Sequence, residues 1–561
     1  MQASKTQSQG RIENCDRGWL AGMAEVLAGS LLAGSAMGQG PAADQAPRYG
    51  AADFCPSVER PAGYRGDGSG VYPAATPPLS FSEQGKTNLL WVTKIPKVWS
   101  HSPPLVAGKR VFIEGEPDTT LCLDADTGKI LWQDSLDLLE TPTGGWALHA
   151  GNGYSTASSD GAAIYRLFSG KPKEAGKKGT CLLASYDLGG KRRWLAQTTG
   201  FGSLSTPLLL GNRYILGGTG YDTATGKIAW GPMKYDVDPG EPKPWSGGNN
   251  NDDSLVGIRL NGQGVAVYPG GWCVDPRTGK LMAKVLAMRN ANGRAWHPMG
   301  VAMGPFFSPV ARANADGSAT ILFSGQDEKG LVVGPNKEPA VPIPPDADLK
   351  QAPWADKKTT AALRVLACRL TLDGSGQIRS EPLWKEPATL LIAQSSHPWP
   401  HLSLCGDRIA VSHVKGQLAV LDLKTGRLLG KDFQPVYNCE YKTGASKYKW
   451  DAPELVAARE EYGLTEEIAF GKGGGRNMET SVARMARAVY ARTAVDSRNH
   501  LWLANRWGEV YVLELNDRGF RQVALNRVNQ PICWCSHAAP VFQGNRVYYR
   551  TWGHLYCFEG M

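Results

Sequence analysis

The sequence predicts an all-β chain: an eight-bladed β-propeller of four-stranded antiparallel blades, its ring closed by an N-terminal strand and interrupted by a partly helical insertion. Three observations predict it. A hairpin phrase recurs eight times, at residues 121–132, 185–194, 220–230, 272–281, 369–384, 420–429, 513–520 and 555–560. Upstream of most copies stands a second phrase: a Ser or His near a Pro, an apolar strand, a Gly-Asn or Gly-Lys turn, and another apolar strand. Residues 102–113, 205–216, 402–411 and 539–548 show it. Phrase and hairpin together make four short strands per unit at a period of a few tens of residues, which is the sequence form of a propeller blade. The third observation is a lone outer-type strand at 88–95 without three strands before it, while the chain stops directly after its eighth turn. Pairing the two ends closes the ring and removes two exposed sheet edges.

The best copy, LCLDADTGKILW at 121–132, shows why such a phrase folds as a hairpin. Alternating apolar residues end on Asp124, whose side chain caps the turn, and Gly128 takes the left-handed backbone position. Ile130, Leu131 and Trp132 leave as a second strand of β-branched and aromatic character. Composition agrees, because 67 Gly and 37 Pro against 20% charged residues fit many tight turns and few long helices. A length of 561 residues ordinarily suggests several domains, yet a repeat ring absorbs it as one domain, 86–561, with insertions at about 334–360 and 437–490. The formal charge of +9 is spread among the blades with no Lys/Arg run longer than 191–193, which argues for a solvated surface and against a nucleic-acid site.

The pattern of a small residue, Asp, a Thr-Gly turn, Lys and Trp is carried by Asp124, Thr127, Gly128, Lys129 and Trp132, and again by Asp222, Thr225, Gly226, Lys227 and Trp230. In it the chain resembles the PQQ-like repeat β-propellers over about residues 86–561. That family includes quinoprotein dehydrogenases, the propeller lipoprotein of the outer-membrane β-barrel assembly machine and many exported bacterial proteins. The resemblance implies the fold, and a blade-to-blade packing role for the Trp and Gly. It does not select an activity.

Residues 1–38 read as a leader. Arg11 and Arg17 precede WLAGMAEVLAGSLLAGSA (19–36), an apolar stretch ending in small residues as a secretory signal does, although Glu25 interrupts it. A helical or unstructured leader of a cytosolic protein is the other reading. No Cys follows the apolar run where a lipoprotein signal needs one, since Cys15 precedes it and Cys55 lies too far on. The expectation is a periplasmic or secreted protein without lipid anchor or transmembrane segment. Residues 39–85 are rich in Pro, Gly and Ala and hold YRGDGSGVYP (64–73), expected to lie as a stapled loop across one propeller face. Of the insertions, 334–360 reads as a surface loop inside the fifth blade, and 437–490 contains helical compositions at 453–462 and 480–490. Between those, GKGGG (471–475) lacks the remainder of a phosphate loop and reads as a hinge.

Cys122, Cys273 and Cys557 each stand two residues before the acidic residue of a hairpin, a buried core position by register. Cys533 and Cys535, followed by His537, suit a metal or redox pair as well as two ordinary thiols. The histidines are more informative. His101, His297, His397, His401 and His537 fall just before or at the innermost strand of a blade, and His149 joins them, with Trp99, Trp296, Trp399 and Trp534 beside them. Such positions converge on the mouth of a propeller's channel, so a His/Trp-lined funnel is expected there. His101, His297, His397 and His537 are its candidate metal ligands, with affinity falling as pH drops through about 6.5. Histidines that satisfy backbone groups at the start of a strand would be placed identically.

For a quinoprotein alcohol dehydrogenase the resemblance implies a cofactor clamped between a Trp and a disulfide of adjacent cysteines, a calcium ion and an Asp base. This chain has no adjacent Cys pair and no CxxCH for covalent haem. Asn292, Arg294 and the run from Asn249 to Asp253, whose oxygens suit calcium, are the nearest approach to a quinone site. The expectation is therefore a binding or assembly scaffold in the cell envelope, with no cofactor, engaging a protein partner or small polar ligand at the channel mouth. The alternative is a PQQ-dependent oxidoreductase acting on an alcohol or sugar with calcium; a hydrolase or lyase using the His-rich mouth is a third reading.

Overall fold

Eight antiparallel sheets and no helix make up the described residues of the computed structural model, which are 47–95, 102–140, 155–175, 180–199, 206–233, 254–285, 308–326, 360–393, 401–413, 417–436, 493–504, 508–528, 538–551 and 553–561. Each sheet is a propeller blade. From blade 1 to blade 8 the inner strands are Leu105–Ala107, Ser158–Ser159, Leu208–Leu210, Val256–Leu260, Val310–Ala313, His401–Cys405, Ala494–Val495 and Val541–Gln543. Blade 5 carries a fifth strand, Ala388–Ala393, on its long third strand, Thr360–Leu372. The helical segments expected within 437–490, and the loop expected at 334–360 up to its last residue, lie outside the described residues.

The ring closes as the sequence predicts. Leu89–Lys94 is the outer strand of blade 8 and pairs antiparallel with His554–Glu559, Trp91 opposite Cys557 and Thr93 opposite Leu555. Cys122, Cys273 and Cys557 are fully buried on third strands, as their register requires.

The hairpin turns explain why blades stand side by side. In blade 1, Asp124 Oδ1 accepts hydrogen bonds from the Thr127 amide and hydroxyl, both at 2.8 Å, and Gly128 reverses the chain at a φ of +70°. The flat, side-chain-free turn then receives an indole from the preceding blade. Trp91 lies so close over Gly128 that a Cβ there would stand 2.6 Å from its ring, and Trp91 Nε1 donates to Ala125 O at 3.0 Å. The same contact is made by Trp132 on Gly190, Trp194 on Gly226, Trp230 on Gly279 and Trp384 on Gly426. In each, the indole N–H finds a carbonyl of the turn region: Leu188, Thr223, Pro276 and Leu423. The apolar ring is buried, half-buried in Trp132, and its one polar group is satisfied.

Nearer the axis, hydroxyls continue the stitching. The Thr156 amide donates to Thr206 Oγ1, the Thr206 amide to Ser254 Oγ, and the Ser254 amide to Ser308 Oγ, each between 2.9 and 3.0 Å. Each of these links joins the start of one blade's inner strand to the next blade. Between blades 8, 1 and 2 the link is ionic: Glu114 and Arg166 pair at 2.5 Å with both side chains wholly buried. Arg550 donates to Glu114 O and to Ser102 Oγ. Burial pushes the Glu114 carboxyl up to about 7, with Arg166 and Arg550 pulling it back.

Two expectations follow. Trp91→Ala should lower unfolding stability by about 3 kcal/mol or more, read from the urea midpoint. The exposed neighbour change Leu90→Ala should cost under about 0.5 kcal/mol, and equal effects would refute the indole contact as the closing element. The second concerns acid. Hydrogen bonds from Thr127, Thr425 and Ser375 hold the carboxyls of Asp124, Asp422 and Asp373 below the usual carboxylate range, Asp373 at about 2. A depressed folded pKa adds stability that is complete above the unfolded value, near 4, and is lost as pH falls through the folded one. Melting temperature should therefore drop from about pH 4 downward, and less steeply in Asp124→Asn/Asp422→Asn; parallel curves would contradict this origin.

Candidate functional site: a plugged channel

Residues 47–78 run across the ring along the inner edges of its blades. The segment is tied to five blades. Its amide at Ala62 and that of Ser159 in blade 2 exchange hydrogen bonds of 2.9 and 2.7 Å, and Glu59 O accepts from Arg259 of blade 4. In blade 7 the Tyr72 amide donates to Val495 O and the Val495 amide to Gly70 O; in blade 8 the Gly544 amide donates to Gly50 O. Blades 2 and 7 are thus extended by one residue of strand pairing at their inner edges, the mode by which sheet edges capture extended chain.

Arg65 anchors the middle of the plug. It is buried, sits in the left-handed region at a φ of +52°, and donates to Leu402 O at 2.8 Å and Ser403 Oγ at 3.0 Å on blade 6. A non-glycine residue holds that backbone conformation only where its surroundings over-determine it, and here the guanidinium does so. The following Gly66 is required for a different reason: a Cβ there would run into the Tyr49 phenol. Tyr49 in turn packs on Tyr72 and Phe54, so the plug has an aromatic core of its own.

Between the plug and the inner strands of blades 3, 4 and 5 lies a cavity of about 400 Å³. Leu208, Leu210, Leu255 and Ile258 line one side; Tyr49, Phe54, Tyr64 and Asp67 line the other. Asp67 Oδ1 accepts from the Ser69 amide at 2.9 Å and the Ser69 hydroxyl at 2.5 Å. Asp67 is exposed to the cavity, and desolvation by the protein around it pushes the carboxyl pKa up.

Of the funnel residues expected from sequence, His401 is described: it is buried and begins the inner strand of blade 6, its carbonyl accepting from Ser412 Oγ at 3.3 Å. Trp99, His101, His149, Trp296, His297, His397, Trp399, Trp534 and His537 lie outside the described residues, as do Asn249 to Asp253, Asn292, Arg294, Cys533 and Cys535. Among the described residues no group of His, Cys, Asp and Glu is arranged to hold a metal ion, and no helix is long and apolar enough to cross a membrane. Sequence reasoning quoted the phrase containing Arg65 and Asp67 but gave neither a role, because the partners of both become neighbours only through the fold.

Residues 81–232 match the family model described as outer membrane protein assembly factor BamB. No curated protein matches the chain. Among solved structures, BamB from Moraxella catarrhalis is similar at 12% identity and a TM-score of 0.40, over 84% of this chain and 99% of that one. Quinohemoprotein alcohol dehydrogenase from Comamonas testosteroni is similar at 12% identity and 0.38, over 87% and 79%. A europium-containing methanol dehydrogenase is similar at 12% identity and 0.35, over 88% and 82%. At such identities and scores, what those proteins do stays with them.

If Arg65 holds the plug, Arg65→Ala removes two hydrogen bonds from a charged donor, about 2 kcal/mol in local opening. Chymotrypsin should then cut after Tyr64 more than about tenfold faster than in the unaltered protein, and unchanged cleavage would show that the plug is held elsewhere.

Proposed function

We propose that the chain, an eight-bladed β-propeller, is a PQQ-like repeat protein acting as an exported binding or assembly scaffold of the cell envelope and engaging a protein partner. The observation that carries this reading is its apolar rim. Leu90, Val92, Ile130, Leu131, Ile228 and Leu281 are all exposed, Ile228 at 60% and Leu131 at 50%, and every one lies on the outer strand of its blade. Outer strands are sheet edges with unpaired backbone groups, and edges that also present apolar side chains suit burial against another chain. The signal-like residues 19–36 and the match to a BamB family model support an envelope location.

A small polar ligand at a His/Trp-lined channel mouth, and metal binding by His101, His297, His397 and His537, remain part of the proposal. The alternative, a quinoprotein oxidoreductase using PQQ and calcium, is supported by the shared repeat and by no residue set that the sequence singles out.

One experiment separates the readings. The protein is cross-linked in and purified from its native host, as the unaltered chain and as Leu131→Asp/Ile228→Asp, and examined by mass spectrometry and visible absorbance. The scaffold reading expects a mature chain beginning after Ala36, a cross-linked partner lost in the double variant, and neither bound quinone nor dye-linked alcohol oxidation on adding quinone and calcium. Oxidation that disappears when the calcium is chelated would replace the scaffold with the enzyme.

A further inference from the structure

The cavity behind the plug has a chemistry of its own. At about 400 Å³ it falls within the range of small-molecule pockets, about 300–1,000 Å³. One wall is aliphatic, from Leu208, Leu210, Leu255 and Ile258, and the facing wall brings three aromatic rings, Tyr49, Phe54 and Tyr64, near one carboxylate, Asp67. Asp67 uses Oδ1 on Ser69; among the described residues Oδ2 makes no hydrogen bond. The nearest cation is no counter-ion by contact, since the Arg65 guanidinium points into blade 6 at Leu402 O and Ser403 Oγ.

The other charges sit at the rim. Arg48, Arg60, Arg259 and Glu59 are exposed; Arg60 donates to Pro47 O and lies over the Phe54 ring, and Arg259 is bound to Glu59 O. Asp67 is exposed as they are, but it opens into the cavity and not at its mouth, so among these charges it is the one that stands beside the rings. Aromatic faces beside a carboxylate favour a cation, through ring quadrupoles and charge together.

We propose that this cavity is a binding site for an organic ammonium with an apolar body, Asp67 pairing with the cation, the rings of Tyr49, Phe54 and Tyr64 flanking it, and the blade 3 and blade 4 leucines receiving the apolar part. The site is independent of the scaffold reading, which rests on the outer strands.

Isothermal titration of the full chain with benzyltrimethylammonium, phenylacetate and benzyl alcohol tests it. Benzyltrimethylammonium should bind, and the two others at least about tenfold more weakly. Asp67→Asn retains an oxygen for Ser69, so the loop keeps its bond while the charge is lost, and affinity for the cation should fall by about tenfold or more. Leu208→Trp, which fills the opposite wall and leaves Asp67 intact, should abolish binding and serves if the first variant does not fold. The proposal is overturned if the cation fails to bind, if both variants bind it as the unaltered chain does, or if phenylacetate binds more tightly, which would move the site to Arg48, Arg60 and Arg259.

Discussion

An indole laid flat on a left-handed glycine is the contact on which this ring depends. A four-stranded blade buries only part of its apolar surface by itself and needs a neighbour on each side. The turn at Gly128 supplies a surface with no side chain, and Trp91 covers it while its N–H reaches Ala125 O. Five such contacts join blades 8 to 1, 1 to 2, 2 to 3, 3 to 4 and 5 to 6. Elsewhere the turn glycines meet different neighbours: Gly519 lies against the Gln434 amide, and Gly376 has no atom near its missing Cβ. The seams are thus chemically unequal, and between blades 4 and 5 the packing is aliphatic, Ile258 with Ile321 and Leu370.

Around the axis the joints are polar. Hydroxyls at Thr206, Ser254 and Ser308 accept amides from the preceding blade, and Glu114 with Arg166 and Arg550 spans blades 8, 1 and 2. Removing one partner from such a buried charge set leaves the others uncompensated, which costs more than the set contributes over an apolar replacement. Its position where the last blade meets the first two favours a role in fixing which blades meet there. The plug adds a third layer, in which backbone pairing at Ala62 and Tyr72 and the Arg65 anchor tie blades 2, 7 and 6 to one segment.

The architecture was legible because it is written in repeats. Asp124, Thr127, Gly128 and Trp132 form a local device whose meaning survives without knowledge of neighbours, and the orphan strand around Trp91 identified its own partner by elimination. The Ser-near-Pro phrase was visible too, although its function, a hydroxyl serving the preceding blade's amide, belongs to a pair of blades and not to either one. Glu114, Arg166 and Arg550 were not legible at all. Each is a charge in a largely apolar strand, RVFIEG, AIYRLFSG and RVYYR, and such charges ordinarily point to water. The candidate site was harder still: His401 stands where its register put it, while the significance of Asp67 comes from a cavity whose walls are supplied by blades 3, 4 and 5.

The closing strand also makes the ring a test of completeness. Leu89–Lys94 is synthesised before the other strands of the ring, and its place in the fold is beside His554–Glu559, which follows them all. Until then Trp91 has no finished blade to belong to, and the strand carries Leu90 and Val92 as well, a conspicuous apolar segment. A chain truncated anywhere before residue 554 would keep two bare edges and an unsealed seam, the features by which proteases distinguish unfinished products. Placing the first strand in the last blade lets quality control read the whole length of the chain at a single joint.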